Sequence, residues 1–180
     1  MPLAIIIIVV AIVIILAYAI SISNGLNRAI VKIDEASSDI DVSLTKRYDV
    51  LTKMIDVVKG YAKYEQETIF KTIELRQNMT MKEKNEANML MEENMQRINA
   101  LAENYPDLKA SENYKTLQKA IADVEEHLQA SRRLYNANVS SYNQKIVTFP
   151  TSIIANNKGL TRKEFFSVEE KKREDVKIDL

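Results

Sequence analysis

One histidine, His127, stands behind Glu125 and Glu126 in the run ADVEEHLQA. A carboxylate-bridged metal site in a helical bundle asks for paired Glu-x-x-His units, with Glu three places before each His. Neither acid is at that distance, and no second histidine exists. His-Glu-x-x-His is absent for the same reason. A Ser-His-Asp triad would have to recruit this one imidazole from a charged helical stretch. The chain has no cysteine, which removes disulfides and thiolate metal sites. Three scattered glycines cannot build a phosphate-cradling loop. The pattern therefore predicts no catalytic residue, no metal, no cofactor and a solvated or interfacial His127.

Two polar clusters remain. Asp39, Asp41, Lys46, Arg47 and Asp49 form the denser one, and Arg133, Tyr135, Asn136, Tyr142 and Asn143 form the other. Three uses are open. They could be interhelical hydrogen bonds and ion pairs that fix register, a docking surface for another protein, or a small-ligand site. Methionines at 79, 81, 89, 91 and 95 could make an adaptable surface, though such residues commonly fill helical cores. Lys171, Lys172 and Arg173 could touch anionic lipid, but Glu169, Glu170, Glu174 and Asp175 cancel them.

The elements that position these residues follow from composition and period. Lys+Arg and Asp+Glu both number 25, so the net charge is zero and the basic surface that nucleic acid wants is missing. Three glycines and three prolines in 180 residues leave little punctuation, which points to few, long helices. Leu3 to Ile20 reads LAIIIIVVAIVIILAYAI, and 13 of its 18 residues are Ile, Val or Leu. About 20 apolar residues cross about 30 Å of hydrocarbon. Such a run has no polar face, so a soluble core would have to surround it entirely. The expected anchor is residues 1–24, with 3–22 in contact with the bilayer. The alternative is a cleaved signal peptide, since Ala17-Tyr18-Ala19 fits a small-x-small site; the absence of Lys or Arg before the run argues against it. Arg28 and Lys32 follow the span while no cation precedes it, which favours an external N-terminus and a cytoplasmic bundle.

Beyond the span, apolar positions recur at Leu26, Ile30, Ile33, Ile40, Leu44, Leu51, Ile55, Val58, Ala62, Ile69 and Ile73, one face of a helix with near-heptad period. Asn24-Gly25 is a candidate joint within it. The polar run QNMTMKEKNE (77–86) predicts a loose helix–helix turn. Ala87, Met91, Met95, Ile98, Leu101, Ala102 and Tyr105 make a second face, which ends at Tyr105-Pro106-Asp107 because proline disfavours helix at the residue before it. Ser111 is a candidate cap. Tyr114, Leu117, Ile121, Val124, Leu128, Ser131, Tyr135, Val139, Tyr142, Ile146 and Phe149 make the third and cleanest face, stopped by Pro150. Asn156 to Gly159 looks like a glycine-capped helix end, and Thr161 with Glu164 has capping-box spacing. The fold class is all-α: an N-terminal transmembrane helix, then a long antiparallel up-and-down four-helix bundle over 25–166 with three long helices and a short C-terminal one, then a charged tail over 167–180.

Four blocks of this chain, in order, resemble the LemA family of bacterial membrane proteins. They are SSDIDVSLTKRYDVLTKMIDVVKGYAKYE (37–65), AENYPDLKASENYKTLQ (102–118), RRLYNANVSSYNQKIVTFPTSIIA (132–155) and GLTRKEFF (159–166). The family commonly has an aromatic where Ser37 stands, a proline at Thr52 and a histidine at Tyr64. Its recurring residues are matched at Asp39, Asp41, Arg47, Tyr48, Asp49, Lys59, Gly60, Tyr61, Tyr105, Pro106, Asp107, Arg133, Tyr135, Asn136, Tyr142, Asn143, Phe149 and Pro150. The resemblance implies a four-helix bundle on a single-pass anchor, and no reaction. The expected function is a non-enzymatic adaptor or scaffold for an unidentified membrane or membrane-associated protein. The alternative is a sensory bundle that binds a small ligand between helices. No nucleic-acid partner is expected, and self-association is open.

Overall fold

The computed structural model describes residues 2–61, 70–76 and 78–167. Among these residues there are five helices and no strand: α1 (Pro2–Tyr61), α2 (Met81–Asn104), α3 (Pro106–Ala110), α4 (Glu112–Val147) and α5 (Thr151–Asn157). The chain divides into two compact units. The first takes Met1–Ser37 and Leu134–Glu164; the second takes Ser38–Arg133 and Phe165–Leu180. Helices α1 and α4 contribute to both.

In the first unit, α1 is helical straight through Asn24-Gly25, so that pair is no joint. Over its apolar start the helix packs against none of the described residues: an 18-residue window is long and apolar enough to cross a membrane, and none of it is buried. Burial begins where polar residues first appear. Leu26, Ala29, Ile33 and Ala36 are buried, and so are Tyr135, Val139, Tyr142 and Ile146 of α4. Asn138 Nδ2 donates to the Lys32 carbonyl at 3.0 Å, while Lys145 lines a cleft with Gly25. Rising numbers meet falling ones, so α4 runs antiparallel to α1. Helix α5 ends as the sequence predicts. Gly159 takes φ +65°, and the amides of Gly159 and Leu160 return to the carbonyls of Asn156 and Ala155. That left-handed conformation is one glycine adopts without a Cβ penalty.

The second unit holds the core of Leu51, Met54, Val58, Ile73, Met91, Ile98, Leu108, Tyr114 and Ile121, among others. Its topology refines the expected one. Lys84 pairs with Asp41, and Asn88 and Glu92 with Arg47, so α2 runs alongside α1 in the same sense. The descending leg before α2 is an extended segment. Residues 70–76 are not helical, and Lys71 lies level with Asn94 through two hydrogen bonds. Ile73 is buried as the pattern demands, but from this strap rather than from helix one. A lone apolar residue in a core looks the same in sequence whether it sits on a helix or a strap. Ala62 and Ile69, also placed on that helical face, lie outside the described residues, as does the tail beyond 167.

The run 77–86 is shorter as a turn than expected, because α2 starts at Met81. Thr80 caps it in a reciprocal box with Glu83. Helix α2 ends at Asn104. Pro106 then opens α3 at a position where its missing N–H costs nothing. Ser111 Oγ accepts from the Tyr114 amide at 3.3 Å, as a cap should. Helix α4 stops at Val147. Phe149 is 77% exposed and does not extend the α4 face.

Candidate functional site

In the second unit the inward positions of α1 run Ile40, Leu44, Arg47, Leu51, Met54 and Val58, in steps of three and four. An arginine thus occupies a core position and is only 2% exposed. A guanidinium there must be paired or it is strongly destabilising. Its Nη1 donates to Asn88 Oδ1 at 2.5 Å, its Nη2 to Glu92 Oε2 at 2.8 Å, and its Nε lies 2.6 Å from Glu125 Oε1. One side chain ties α1 to α2 and to α4. The two carboxylates are each about a third exposed, so the charges meet at the edge of the core rather than in its middle.

Helix α2 repeats the device. Lys84 and Asn94 are buried on its inward face along with Ala87, Met91 and Ile98. Lys84 Nζ lies 2.7 Å from Asp41, and Asn94 exchanges two hydrogen bonds with the backbone of Lys71 at 2.8 and 2.9 Å. Lys71 also pairs with Glu93. At the start of α2, the Thr80 backbone N–H donates to Glu83 at 2.7 Å and holds that carboxyl below the usual carboxylate range.

Open clefts lie beside these residues. One of about 530 Å³ is lined by Asp41, Thr45, Tyr48, Asp49, Arg76 and Met79 with their neighbours. Another of about 420 Å³ borders Arg47, Glu92 and Glu125. Asp39 and Asp49 are exposed. His127 is exposed too. Met91 is buried, Met79, Met81 and Met95 are half-buried and Met89 is exposed, so the methionines do not form one surface.

The helix-three residues fall differently. Arg133 is exposed in the second unit, where its Nε donates to the Gln129 carbonyl at 3.4 Å. Tyr135, Asn136 and Asn143 belong to the first unit. Tyr135 donates to the Glu164 carbonyl at 2.9 Å and Tyr142 to the Thr161 carbonyl at 3.1 Å. Asn143 donates to the Lys163 carbonyl and accepts from its amide, both at 2.9 Å. Residues 161–167 are accordingly non-helical, and the capping box predicted from Thr161 and Glu164 does not form. Their carbonyls are committed to side chains of α4 instead. Burial pushes the Tyr135 and Tyr142 phenols up, so they stay neutral donors. Of the turn residues, Tyr105 is the half-buried end of α2, and Pro106 and Asp107 are exposed in the first turn of α3.

Sequence reasoning missed Asn88, Glu92, Glu125 and Lys84. The available signal was spacing: Leu44 and Leu51 of the first face stand seven apart, and so do Met91 and Ile98 of the second, with only the half-buried Met95 between them. A polar residue three beyond the first of each pair, Arg47 or Asn94, must point inward and find partners.

A model of the LemA family matches residues 36–180. The chain belongs to the LemA family. The protein LemA of Metamycoplasma hominis is 32% identical over 158 residues, covering 85% of this chain and 72% of that one. More distant is the magnetosome protein MamQ of Magnetospirillum gryphiswaldense, 30% identical over 70 residues, which are 39% of this chain and 26% of MamQ. MamQ 2 of Paramagnetospirillum magneticum is 32% identical over the same length. The LemA match includes α2, α3, α4 and α5, together with the part of α1 that carries Arg47. The Arg47 hub, the Tyr-Pro-Asp turn and the tyrosine-bound closing segment of this LemA-family chain all lie inside it.

Proposed function

We propose that this protein is fixed in a bilayer by residues 3–22 and serves there as a non-enzymatic helical platform on which another protein docks. The observation that carries the reading is the apolar window of α1, which no described residue covers, on a helix whose next turns bury a regular core stripe. Lipid is the solvent that suits such a window. The cytoplasm is the favoured side for the bundle: Arg28 and Lys32 follow the span, and Lys145 and Lys158 lie beside the same turns of α1.

Within the platform, Arg47 and Asp41 are engaged in internal pairs, whereas Asp39, Lys46 and Asp49 face outward. These three are the proposed docking face. A photoreactive residue placed in turn at Asp39, Lys46 and Asp49 should crosslink a discrete protein in intact cells. Crosslinks to lipid alone, or none, would contradict docking there.

A second reading rests on the cleft of about 530 Å³ beside Asp41 and Asp49. Its size falls within the usual range for small-molecule sites. A sensory bundle would use it for a ligand. Thr45→Trp, which fills the cleft, should then release a small molecule that mass spectrometry finds on the unsubstituted protein. Retention of that molecule by the variant would remove this reading.

A further inference from the structure

A third cleft, of about 250 Å³, belongs to the first unit and differs in charge from the others. It is lined by Gly25, Arg28 and Lys32 of α1 and by Asn138, Ser141 and Lys145 of α4. Three cations and no acid line it. None of the three makes an ion pair within the described residues, in contrast to Arg47 and Lys84. Lys158, close by, donates to Asn27 Oδ1 at 3.1 Å and adds a fourth cation to this end. The volume is below the usual range for drug-sized ligands, which suits a compact anionic group. Ser141 supplies a neutral donor beside the charges, and Asn138, whose Nδ2 donates one hydrogen to the Lys32 carbonyl, keeps a second N–H.

The height of the cleft says which anion it meets. At 1.5 Å per residue, Gly25 and Arg28 stand roughly 5 and 9 Å beyond Ile22, the end of the bilayer contact. The headgroup layer of one leaflet is about 5–8 Å thick, so Gly25 stands level with it and Arg28 at its outer edge, from which a long side chain reaches back to the phosphates. Lys32 is higher, and its long stem can reach down while its ammonium stays wet. We propose that this cleft holds the phosphate of an anionic phospholipid headgroup, clamped between α1 and α4. The proposal rests on the bilayer anchoring above. The contribution of Lys145 sets it apart from an ordinary basic flank, because that residue follows the span by more than a hundred positions in sequence and reaches the cleft only through the fold.

The test uses the full chain in nanodiscs of phosphatidylcholine with a minority of phosphatidylglycerol, then native mass spectrometry of lipids retained on release into detergent. The unsubstituted protein should retain phosphatidylglycerol in preference to phosphatidylcholine. A cation near an anionic surface contributes roughly a fivefold factor in affinity, so R28Q/K32Q/K145Q should lower retention at least about tenfold. Lys145→Glu alone should lower it too, whereas K53Q/K115Q/K119Q, with the same charge removed from exposed positions of the second unit, should not. Equal retention by the cleft variant, or equal loss in the control, would overturn the proposal. So would displacement of the lipid by millimolar inorganic phosphate, which would assign the cleft to a soluble anion. Failure of the unsubstituted chain to enter discs would overturn the anchoring and the cleft together; normal entry with unselective retention overturns the cleft alone.

Discussion

The two units of this chain solve one problem with different chemistry. Each must join segments far apart in sequence through polar groups near a core. The second unit relies mainly on charge, Arg47 between Glu92 and Glu125 and Lys84 on Asp41, with one neutral bridge from Asn94 to the Lys71 backbone. The first uses neutral groups on backbone: Tyr135, Tyr142 and Asn143 hold the closing segment, and Asn138 holds α1. Charged pairs are strong only while both partners remain, since a lone buried charge is costly. Neutral side-chain-to-backbone bonds contribute less each but fail independently. The first unit is therefore expected to degrade gradually under substitution, and the second abruptly.

The sharpest way to break that contrast is Arg47→Ala. It leaves Glu92 and Glu125 facing each other without the cation and opens space beside Leu51 and Met54. The expected loss is about 3 kcal/mol, near the low end for breaking a buried pair because the carboxylates are partly exposed. Urea denaturation in detergent, followed by circular dichroism, measures it. Arg47→Met with E92Q and E125Q should recover most of the loss, because removing the buried cation together with both of its partners leaves no uncompensated charge. If Arg47→Ala costs under ~1 kcal/mol, the ion pairs do not fix register and the contrast fails.

Tyr142→Phe tests the neutral side. It removes one donor to the Thr161 carbonyl and leaves the ring in place, for an expected loss of about 1 kcal/mol. Combined with Asn143→Ala, the losses should add approximately. Strong non-additivity would mean that the closing segment detaches as a unit.

Thr80→Ala should cost about 1 kcal/mol and speed amide exchange in the first turn of α2, with little change elsewhere. The pH dependence should differ at the two ends of the scale. Glu83 has its folded pKa lowered, so its contribution is complete above its unfolded value of about 4.3 and is lost as pH falls through the lower folded value. The buried phenols have theirs raised. Their contribution is complete below about 10 and is lost as pH rises through the folded values. Amide exchange against pH should show acid loosening the start of α2 and alkali loosening the α4 contacts of residues 161–164.

Much of the fold was readable because periodicity is a local property. The faces of α1 from Leu26, of α2 from Ala87 and of α4 from Tyr114 are where the spacing put them, and so is the glycine-capped end of α5. What the sequence hid was tertiary. Residues 70–76 form a strap held where Asn94 takes the Lys71 backbone and Ile73 turns inward, neither of which spacing reveals. The capping box at Thr161 and Glu164 matched a pattern, but tyrosines from α4 claimed the carbonyls that a helix there would have used. Asp41 and Arg47 were picked out by density of charge. Their partners Lys84, Asn88, Glu92 and Glu125 lie on two other helices and could be named only once the topology was known. The basic cleft escaped for the same reason, since Lys145 carries no sign of its nearness to Gly25.

The central claim is that one helix changes solvent along its length, from lipid at Leu3–Ile20 to a protein core beyond Leu26. Because the chain has no cysteine, a single introduced thiol reports each position cleanly. Ile8→Cys, Ile12→Cys and Leu16→Cys replace side chains that are each more than half exposed, as does Val42→Cys farther along. In opened membrane vesicles, so that both faces meet the reagent, a water-soluble maleimide should label Val42→Cys rapidly and leave the other three unlabelled until SDS dissolves the bilayer. Labelling of Ile12→Cys at the rate of Val42→Cys in those membranes would contradict the account.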